Sequence, residues 1–504
     1  MIAGGRVVPS AGDAVTANAL DLAKRLLAGN QDFSAIPDVA GYADISHQWD
    51  QGYKKALIAS IRDGDCLPTY TEIVDFPKDA ITFRPLARFS ARDRLIYDAL
   101  IYSIAPIVDR HTDGRVLSYR WDHGRREPIF WSKLWDAMQK VSQKFLNSSP
   151  WMRMATLDVS SFYEHIDVGI LSDDLSCLTG GRGDTQNLIR FLSAFQRINH
   201  AWGLPQGSDA SAILANLYLF PVDEFLGRSG AGFARYSDDI RIFHSDWTEL
   251  RDILGEVSRI FRSRRLSVSS QKTAILDRLE SLAQIRDPRM TSLSAACHME
   301  IPGAQGEVRA FFDETIKEDK VKQTQIRFAL NRFARFGDDY AVNWCLDNLA
   351  YLPHVAKELF RYLGACKSRA GDIERELSRF MTSGGSASYP YLEQRILRYF
   401  LVSGERTAQL KEAAWNIFDD RNREDFPREF AARYLGRDAS IGEAQLLRHK
   451  FEDEPSIAMR RSLLMALYES GNISRNYLNE VQEYLPSLKW VCRYLSDRPN
   501  IPIC

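Results

Sequence analysis

The chain of 504 residues lacks several features that would assign a protein to a class at once. Its seven cysteines form no Cys-x-x-Cys pair, which indicates neither a disulfide framework nor a zinc site. Apolar runs such as residues 212–215 are far shorter than the roughly 20 residues of a membrane span. The first residues also lack the apolar segment of a secretory signal. We therefore expect a cytoplasmic protein that does not cross a membrane.

A surplus of positive charge is missing as well. The formal net charge is −1, whereas a protein that grips a long duplex usually carries a basic face for the phosphates. Basic clusters do occur at residues 84–126 and 262–265. A solvent-exposed surface and a ligand-binding surface are equally good interpretations of them. With 45% hydrophobic and 26% charged residues, the composition is otherwise typical of a globular protein and excludes a disordered or fibrous chain.

Periodicity divides the chain into three predicted domains. Residues 1–75 form an N-terminal extension of helical pieces, at 17–27 and 54–61. Residues 76–290 interleave strands with helices, which predicts an α+β domain. Its predicted strands are 152–159, 232–236 and 240–243, and its longer predicted helices are 92–107, 208–225 and 247–262. Residues 291–504 lose the strand pattern and consist of consecutive amphipathic helical segments.

Aromatic residues recur near the ends of the later helical segments. Their spacings are 26, 37, 35, 34 and 26 residues, for Phe336, Tyr362, Tyr399, Tyr434, Tyr468 and Tyr494. The three middle spacings match a helix-pair repeat, whose units must stack to bury their apolar faces. We predict an irregular helical solenoid, with chance placement of common residues as the alternative. Oligomerisation and a concave binding surface are both open as its role.

Three aspartates stand at the ends of predicted strands. Asp158 ends an apolar strand, and Asp238 and Asp239 form the turn of a predicted hairpin at 233–243. Adjacent acids repel each other, and a physical use for them is coordination of hard divalent cations. If the two strands are neighbours, the carboxylates meet and can hold two Mg²⁺ ions about 3.5–4 Å apart for phosphoryl transfer. Taken alone, an Asp-Asp turn is usually only a turn.

A loop rich in Gly and Pro, at residues 203–208, precedes an apolar helix. Glycine lets the backbone approach a ligand closely. Ser208 is predicted as the N-cap of the helix, with Asp209 in its first turn. A simple junction between loop and helix is the alternative interpretation.

In their order along the chain, these segments resemble the motifs of reverse transcriptases. The palm motifs are matched by Asp158 with Phe162 and Tyr163, by residues 203–208, by residues 236–239 and by residues 270–273. The two fingers motifs of bacterial reverse transcriptases are matched by residues 84–94 and 117–120. The resemblance covers roughly residues 75–285, and six motifs in sequence make a chance match improbable.

Within that family, the chain most resembles the abortive-infection group of antiphage polymerases, and in particular the prophage-encoded type. The palm leads directly into helical repeats, and no thumb motif follows Lys272. The resemblance implies an α+β palm and fingers without a thumb, followed by an all-α HEAT-like repeat domain. It also implies template-independent DNA synthesis from deoxynucleoside triphosphates, primed by a protein hydroxyl. The single-stranded product would be attached covalently to a homo-oligomeric protein.

The resemblance further assigns roles to the catalytic residues. Asp158 and Asp238, with Asp239 and Val159 beside them, match the ligands of two Mg²⁺ ions, which Mn²⁺ can replace. Lys272 matches a palm lysine that can donate a proton to the departing pyrophosphate, with an ordinary surface lysine as the alternative.

Other assigned residues would contact the incoming nucleotide. Tyr163 matches the aromatic residue that excludes ribose, although Phe162 could face the sugar instead. Arg84 matches the fingers arginine on the triphosphate, because a guanidinium group binds phosphate bidentately. Gln206 and Gly207 match the palm loop near the nucleotide, and Arg120 is a weaker candidate of the same kind as Arg84. The family's usual lysine position holds Thr82 in this chain, and Lys78, which lies upstream, is the candidate for a second cation.

Two other functions are open at this point. A conventional RNA-directed DNA polymerase would bind its template along the solenoid. A non-catalytic scaffold would keep only a relic of the palm, and the three clustered acids argue against this alternative. The chain has twenty tyrosines, and the sequence does not identify the priming hydroxyl.

Overall fold

A computed structural model describes residues 11–30, 35–69, 71–199, 203–318, 321–386 and 389–503. The chain is mostly helical and contains a few short sheets. None of the described helices is both long and apolar enough to span a membrane.

The chain folds into two compact units, each built from several segments. The first unit comprises the described residues up to Leu26, together with Lys54–Thr71 and Phe89–Pro288. The second unit comprises Leu27–Tyr53, Glu72–Arg88 and the described residues from Arg289 onward. The predicted bounds of three consecutive domains stay a prediction.

Strands and helices alternate up to residue 285. The elements are α1 (Ala11–Gly29), α2 (Ala43–Gln48), α3 (Lys54–Arg62), β1 (Thr71–Pro77), β2 (Phe83–Phe89), α4 (Ala91–His111), β3 (Trp121–Asp122), β4 (Glu127–Pro128), α5 (Trp131–Leu146), β5 (Arg153–Leu157), α6 (Phe162–His165), α7 (Val168–Thr179), α8 (Gly183–Asn199), α9 (Asp209–Tyr218), α10 (Phe220–Arg228), β6 (Gly232–Tyr236), β7 (Asp239–His244), α11 (Trp247–Ser263), β8 (Ala274–Leu276) and α12 (Arg278–Ile285).

Helices alone follow in the rest of the described chain. They are α13 (Pro288–His298), α14 (Ala304–Thr315), α15 (Gln323–Phe336), α16 (Val342–Asp347), α17 (Ala356–Ala365), α18 (Ala370–Thr382), α19 (Pro390–Ser403), α20 (Ala408–Asp419), α21 (Asp425–Gly436), α22 (Ile441–Asp453), α23 (Ile457–Glu469), α24 (Arg475–Tyr484) and α25 (Lys489–Ser496). Short 3₁₀ turns connect some of them.

A four-stranded sheet in the first unit has the order β6-β7-β5-β8. Strand β5 pairs antiparallel with both β7 and β8, so the predicted strand before Asp158 does lie beside the predicted hairpin. The sheet packs against α5 and α12 through a small buried core: Met138, Leu146, Met154, Ala234, Phe243 and Ile285. Met154 anchors the beginning of β5 in this core.

The long helix predicted at 208–225 is in fact two helices, α9 and α10. The break falls at Leu219, just before Pro221 in the first turn of α10. Proline has no backbone N–H and favours the first turn of a helix, so it ends the preceding helix and starts the next one. The prediction of one continuous helix was therefore wrong.

The second unit is a succession of helices around one shared core. Neighbouring contacts join α15 to α17, α19 to α21 and α21 to α23. The recurrent aromatic residues belong to this core: Tyr362, Tyr434 and Tyr494 are buried in it, and Phe336, Tyr399 and Tyr468 pack against it. The recurrence thus marks core positions. Assignment of these helices to HEAT-like repeats stays a prediction.

Candidate active site

The three predicted acids lie at one edge of the sheet in the first unit. Asp158 follows β5, whose last residue Leu157 pairs with Ile240 of β7. Asp239 begins β7 and pairs with Tyr236, so that Ser237 and Asp238 alone form the loop between β6 and β7. Because β5 and β7 are antiparallel neighbours, the end of β5 and the start of β7 meet at the same edge.

Mutual repulsion and partial desolvation characterise this group of acids. Loss of hydration, followed by the charge of Asp158, raises the pKa of Asp238 above its usual range. Desolvation also raises the pKa of Asp239, although Arg241 lies 3.3 Å from its carboxylate and opposes the shift. The Asp239 side chain is nevertheless 37% exposed. A divalent cation would relieve both effects, since it replaces lost hydration and offsets the repulsion.

The candidate ligand atoms suit a divalent metal, whereas the side chains that carry them are not gathered around one point. All candidate ligands are oxygen atoms, as hard cations prefer. Hydrogen bonds from Ser160 N–H to the Ser267 carbonyl (2.9 Å) and from Ser269 N–H to the Asp158 carbonyl (2.8 Å) flank Val159, so this pairing leaves the Val159 carbonyl unused. Among the described residues, however, no three acidic, histidine or cysteine side chains gather into a group that could hold a metal ion.

Lys272 is placed directly beside the acids. Its Nζ donates a hydrogen bond to Asp158 Oδ2 over 2.9 Å, and the lysine side chain is 56% exposed. The chain reaches this position because β8, which follows Lys272, pairs with β5. Lys272 therefore supplies a mobile positive charge at the carboxylates.

The two neighbouring aromatic residues of α6 have different environments. Phe162 is 3% exposed and packs inside the unit, which leaves its ring without access to a ligand. Tyr163 is half-buried and lies next to Ser237 and Asp238, and desolvation with the charge of Asp238 raises the pKa of its hydroxyl. Of the two predicted residues, Tyr163 is the one that faces the acids.

The loop at 203–208 contacts the same helix. Gly203 has φ +71°, and a Cβ atom on it would lie 1.9 Å from the Tyr163 carbonyl oxygen. The next residue, Leu204, donates its N–H to that carbonyl over 2.8 Å. Only glycine allows this approach. The loop is thereby fixed beside Tyr163.

The end of this loop is anchored as the sequence predicts. Ser208 caps α9, because its side chain accepts the N–H of Ala210, and it also donates to Asp98 Oδ1 over 2.6 Å. Gly207 is exposed with φ +112°, and Gln206 is half-buried. Their contact with a nucleotide stays a prediction.

A buried polar network, which the sequence did not reveal, holds the loop between β6 and β7. Ser237 has a left-handed φ of 56°. Its N–H donates to Ser118 Oγ over 2.8 Å, and its carbonyl accepts from Arg235 Nη1 over 2.9 Å. Both peptide groups of this strained residue are therefore satisfied by fixed partners.

Further contacts fix these partners themselves. Arg235 is fully buried and binds both carboxylate oxygens of Asp223, at 2.7 and 2.5 Å. Asn216 Oδ1 accepts from Arg235 (3.0 Å) and from Ser118 (3.2 Å). We call Ser118, Asn216, Asp223 and Arg235 the turn clamp. The sequence offers one signal for the turn clamp, which is the position of Arg235 in an apolar strand. A buried charge needs a partner.

Arg120 is hydrogen-bonded to residues at the end of α4 and just after it. Its Nε donates to Asp109 over 2.5 Å, and its Nη1 donates to the carbonyls of Asp113 and Val116 at 3.0 and 3.1 Å. These bonds hold the guanidinium group against the end of α4 and the segment that follows it. Its contact with a nucleotide stays a prediction.

The two predicted cations of the fingers motif lie in the second unit. Lys78 and Arg84 stand on the hairpin of β1 and β2, and both side chains are exposed. The backbone of Lys78 closes the hairpin by donating to the Thr82 carbonyl over 2.8 Å. Their contact with a triphosphate stays a prediction.

Comparison with known proteins identifies one family. A family model described as reverse transcriptase (RNA-dependent DNA polymerase) matches residues 76–364. Telomerase from Candida albicans, in complex with a fragment of telomeric RNA, has 11% identity and a TM-score of 0.33, over 68% of this chain and 69% of that chain. Apo telomerase from Candida tropicalis has 12% identity and a TM-score of 0.32, over 76% and 73%. No curated protein sequence matches the chain.

Proposed function

The chain belongs to the reverse transcriptase family, and from its site we propose that it is a metal-dependent DNA polymerase. The observation that carries the proposal is the placement of Asp158, Asp238 and Asp239 at one edge of the sheet. Two Mg²⁺ ions bound there would supply activation of the attacking hydroxyl and neutralisation of the pyrophosphate charge.

The residues of the chain would then act in distinct ways. Asp158 and Asp238 would hold the metals, with Asp239 and the Val159 carbonyl as further oxygen donors. Lys272, which is bonded to Asp158, would donate a proton to the leaving pyrophosphate. Tyr163, beside the acids, would occupy the space that a ribose 2′-hydroxyl needs.

We further propose that synthesis is template-independent and primed by a hydroxyl of the protein itself. The net charge of −1 supports this, since no excess of positive charge is available for a long duplex. By resemblance to the abortive-infection group, the enzyme would act in phage defence as a cytoplasmic homo-oligomer, with its helical second unit folded as HEAT-like repeats.

A conventional templated reverse transcriptase is the second candidate. Its activity is the one named in the description of the matching family model, RNA-dependent DNA polymerase. The two candidates differ in whether an added primer and template are needed, and this difference can be measured directly.

The test uses purified full-length protein with labelled deoxynucleotides and Mg²⁺, separated on a denaturing protein gel. Label that migrates with the polypeptide in the absence of nucleic acid is the expected result. Incorporation only with an added primer-template would establish the conventional candidate instead. If neither wild type nor Asp238→Asn incorporates label, with or without primer-template, the polymerase assignment is wrong.

The role of Tyr163 is tested in the same assay by substitution of the ring. Tyr163→Ala should admit labelled ribonucleotides, which wild type should reject. An unchanged preference for deoxyribose would discard Tyr163 as the selective residue.

A further inference from the structure

Three large aromatic side chains at the start of α5 are exposed to solvent. Phe130, Trp131 and Trp135 are 45%, 46% and 40% exposed. Burial of each such ring would be favourable, so their grouped exposure needs a reason other than stability. Contiguous exposed apolar surface of this kind marks an interaction site.

These rings continue to the loop that carries Asp238. Phe130 and Trp131 have ring centroids 5.8 Å apart, and Trp135 meets Tyr236 edge-on at 5.1 Å. Tyr236 directly precedes Ser237 and Asp238, and its ring lies 6.2 Å from that of Tyr119. The group of aromatic residues therefore extends to Tyr236, the last residue before the loop that carries Asp238.

The contacts of Trp135 and Tyr236 hold this surface in position. The Arg241 guanidinium group lies 5.8 Å from the Trp135 ring. That arginine is itself fixed by Gln139 at 3.1 Å, by Ser142 at 3.2 Å and by Asp239 at 3.3 Å. The Tyr236 hydroxyl donates to the Trp131 carbonyl over 3.4 Å. The rings of Trp135 and Tyr236 are thus held in a fixed orientation.

Positive charge lies next to the aromatic residues along the chain. Lys133 stands on the first turn of α5, and Arg125 and Arg126 occupy the loop between β3 and β4, just before Phe130. All three are exposed, and no ion pair within the described part of the chain involves them. Such side chains suit the phosphates of a strand whose bases lie on the rings.

We propose that these aromatic residues bind the unpaired bases of the single-stranded DNA that the enzyme extends. We call the set the aromatic platform: Tyr119, Phe130, Trp131, Trp135 and Tyr236. Unpaired bases offer their faces for stacking, whereas a duplex keeps its bases stacked internally. Stacking is tolerant of sequence, as synthesis without a template requires. The inference rests on the proposed function and names how its product strand is held.

The test measures binding without catalysis, in EDTA, with a fluorescently labelled 12-nucleotide single-stranded DNA and full-length protein. Wild type should bind this strand more tightly than a duplex of the same sequence. Trp131→Ala should weaken binding about tenfold, as expected for the loss of one base-stacking ring. Trp131→Phe keeps a ring and should restore most of the affinity.

Trp151→Ala is the matched control. Trp151 is also an exposed indole, at 78%, but it lies outside the platform, and its loss should leave the affinity unchanged. Equal binding by wild type and Trp131→Ala would overturn the proposal. So would duplex binding as tight as single-strand binding, or tighter binding of an RNA strand of the same sequence, which would indicate a template site.

Failure of the platform and failure of the proposed function can be told apart. Asp238→Asn should bind the labelled strand as wild type does, because binding needs no metal. Loss of incorporation with intact, Trp131-dependent binding would remove the polymerase activity but not the platform. Incorporation with binding that Trp131→Ala does not change would remove the platform alone.

Discussion

Two buried arginines, one in each unit, use the same chemistry for different ends. Arg235 in the first unit and Arg433 in the second are both fully buried, and each donates two hydrogen bonds to one carboxylate, that of Asp223 or of Glu469. Their remaining donors differ. Arg235 donates to the carbonyl of Ser237, which directly precedes Asp238.

The remaining donors of Arg433 connect segments far apart in the sequence. They bind the carbonyls of Val39, Ile501 (2.8 Å) and Pro502 (2.5 Å). The second unit thus uses its arginine to join chain segments, whereas the first unit uses its arginine to set the conformation of a functional loop. We therefore expect substitutions to reduce stability in the second unit and activity in the first.

The largest expected effect is the loss of activity in the first unit when the loop acid is neutralised. Asp238→Asn should lower the rate of nucleotide incorporation by about a thousandfold or more, because a proposed metal ligand is removed. The free energy of unfolding should not fall, since repulsion between Asp238 and Asp158 disappears. Incorporation assays and urea unfolding measure the two effects.

Asp252→Asn serves as the control for that experiment. Asp252 is an exposed acid of the same unit, paired with Arg251 on the surface, and its loss should change neither quantity. A comparable loss of activity in both variants would show that general charge, rather than the site, was affected.

In the second unit, removal of the buried arginine should reduce stability instead. Arg433→Leu should lower the free energy of unfolding by about 3–5 kcal/mol, because Glu469 and three carbonyls lose their donor. Urea denaturation followed by circular dichroism checks this value. Arg379→Leu, which removes an exposed helical ion pair, should stay within about 0.5 kcal/mol of wild type. Equal losses would contradict the comparison.

A pH titration sharpens the comparison within the second unit. Burial raises the pKa of Glu429 to about 7, although Arg88 Nη2 at 2.7 Å opposes the shift. In the unfolded chain the Glu429 carboxyl has its usual pKa near 4.5 and loses its proton above that pH. The native protein keeps this proton up to about pH 7, so the free energy of unfolding should fall as pH rises from about 4.5 to 7.

Glu429→Gln should flatten this slope, by an amount on the order of 1–3 kcal/mol across the window. Denaturation curves between pH 5 and 8 provide the measurement. Glu480→Gln, at an exposed position of α24, should keep the slope of wild type. If Glu429→Gln keeps that slope too, a different group titrates.

The smallest expected effect concerns the turn clamp. Ser118→Ala removes the acceptor for the Ser237 N–H and should cost about 1 kcal/mol of stability. We expect incorporation to fall about tenfold and the Mg²⁺ concentration for half-maximal activity to rise, because the strained loop loses one of its two supports.

The control for the clamp is Ser103→Ala. Ser103 donates to the Leu100 carbonyl within α4, and its removal should leave the Mg²⁺ dependence unchanged. If Ser118→Ala lowers stability but leaves the Mg²⁺ dependence at the wild-type value, the serine is structural and does not position the loop.

Local patterns predicted the parts of the site that depend on short stretches of sequence. The hairpin of β6 and β7 was predicted from alternating apolar residues around a Ser-Asp-Asp turn, and its pairing confirms it. Capping by Ser208 was predicted from a polar residue before an apolar helix, and the structure confirms it as well.

Long-range partners were beyond sequence reasoning. Ser118 and Asn216 have no local feature that indicates a contact with Ser237 or Arg235, since these contacts depend on how distant segments pack. Arg120 was predicted as a nucleotide ligand because of its motif, yet Asp109, eleven residues earlier, binds it. The hairpin of β1 and β2 groups with the helices of the second unit, and its assignment to the fingers stays a prediction.

The turn clamp also ties the loop between β6 and β7 to distant parts of the first unit. Its members lie at residues 118, 216, 223 and 235, which belong to the segment after α4, to α9, to α10 and to β6. The left-handed conformation of Ser237 therefore depends on the packing of these elements and not on the two loop residues alone.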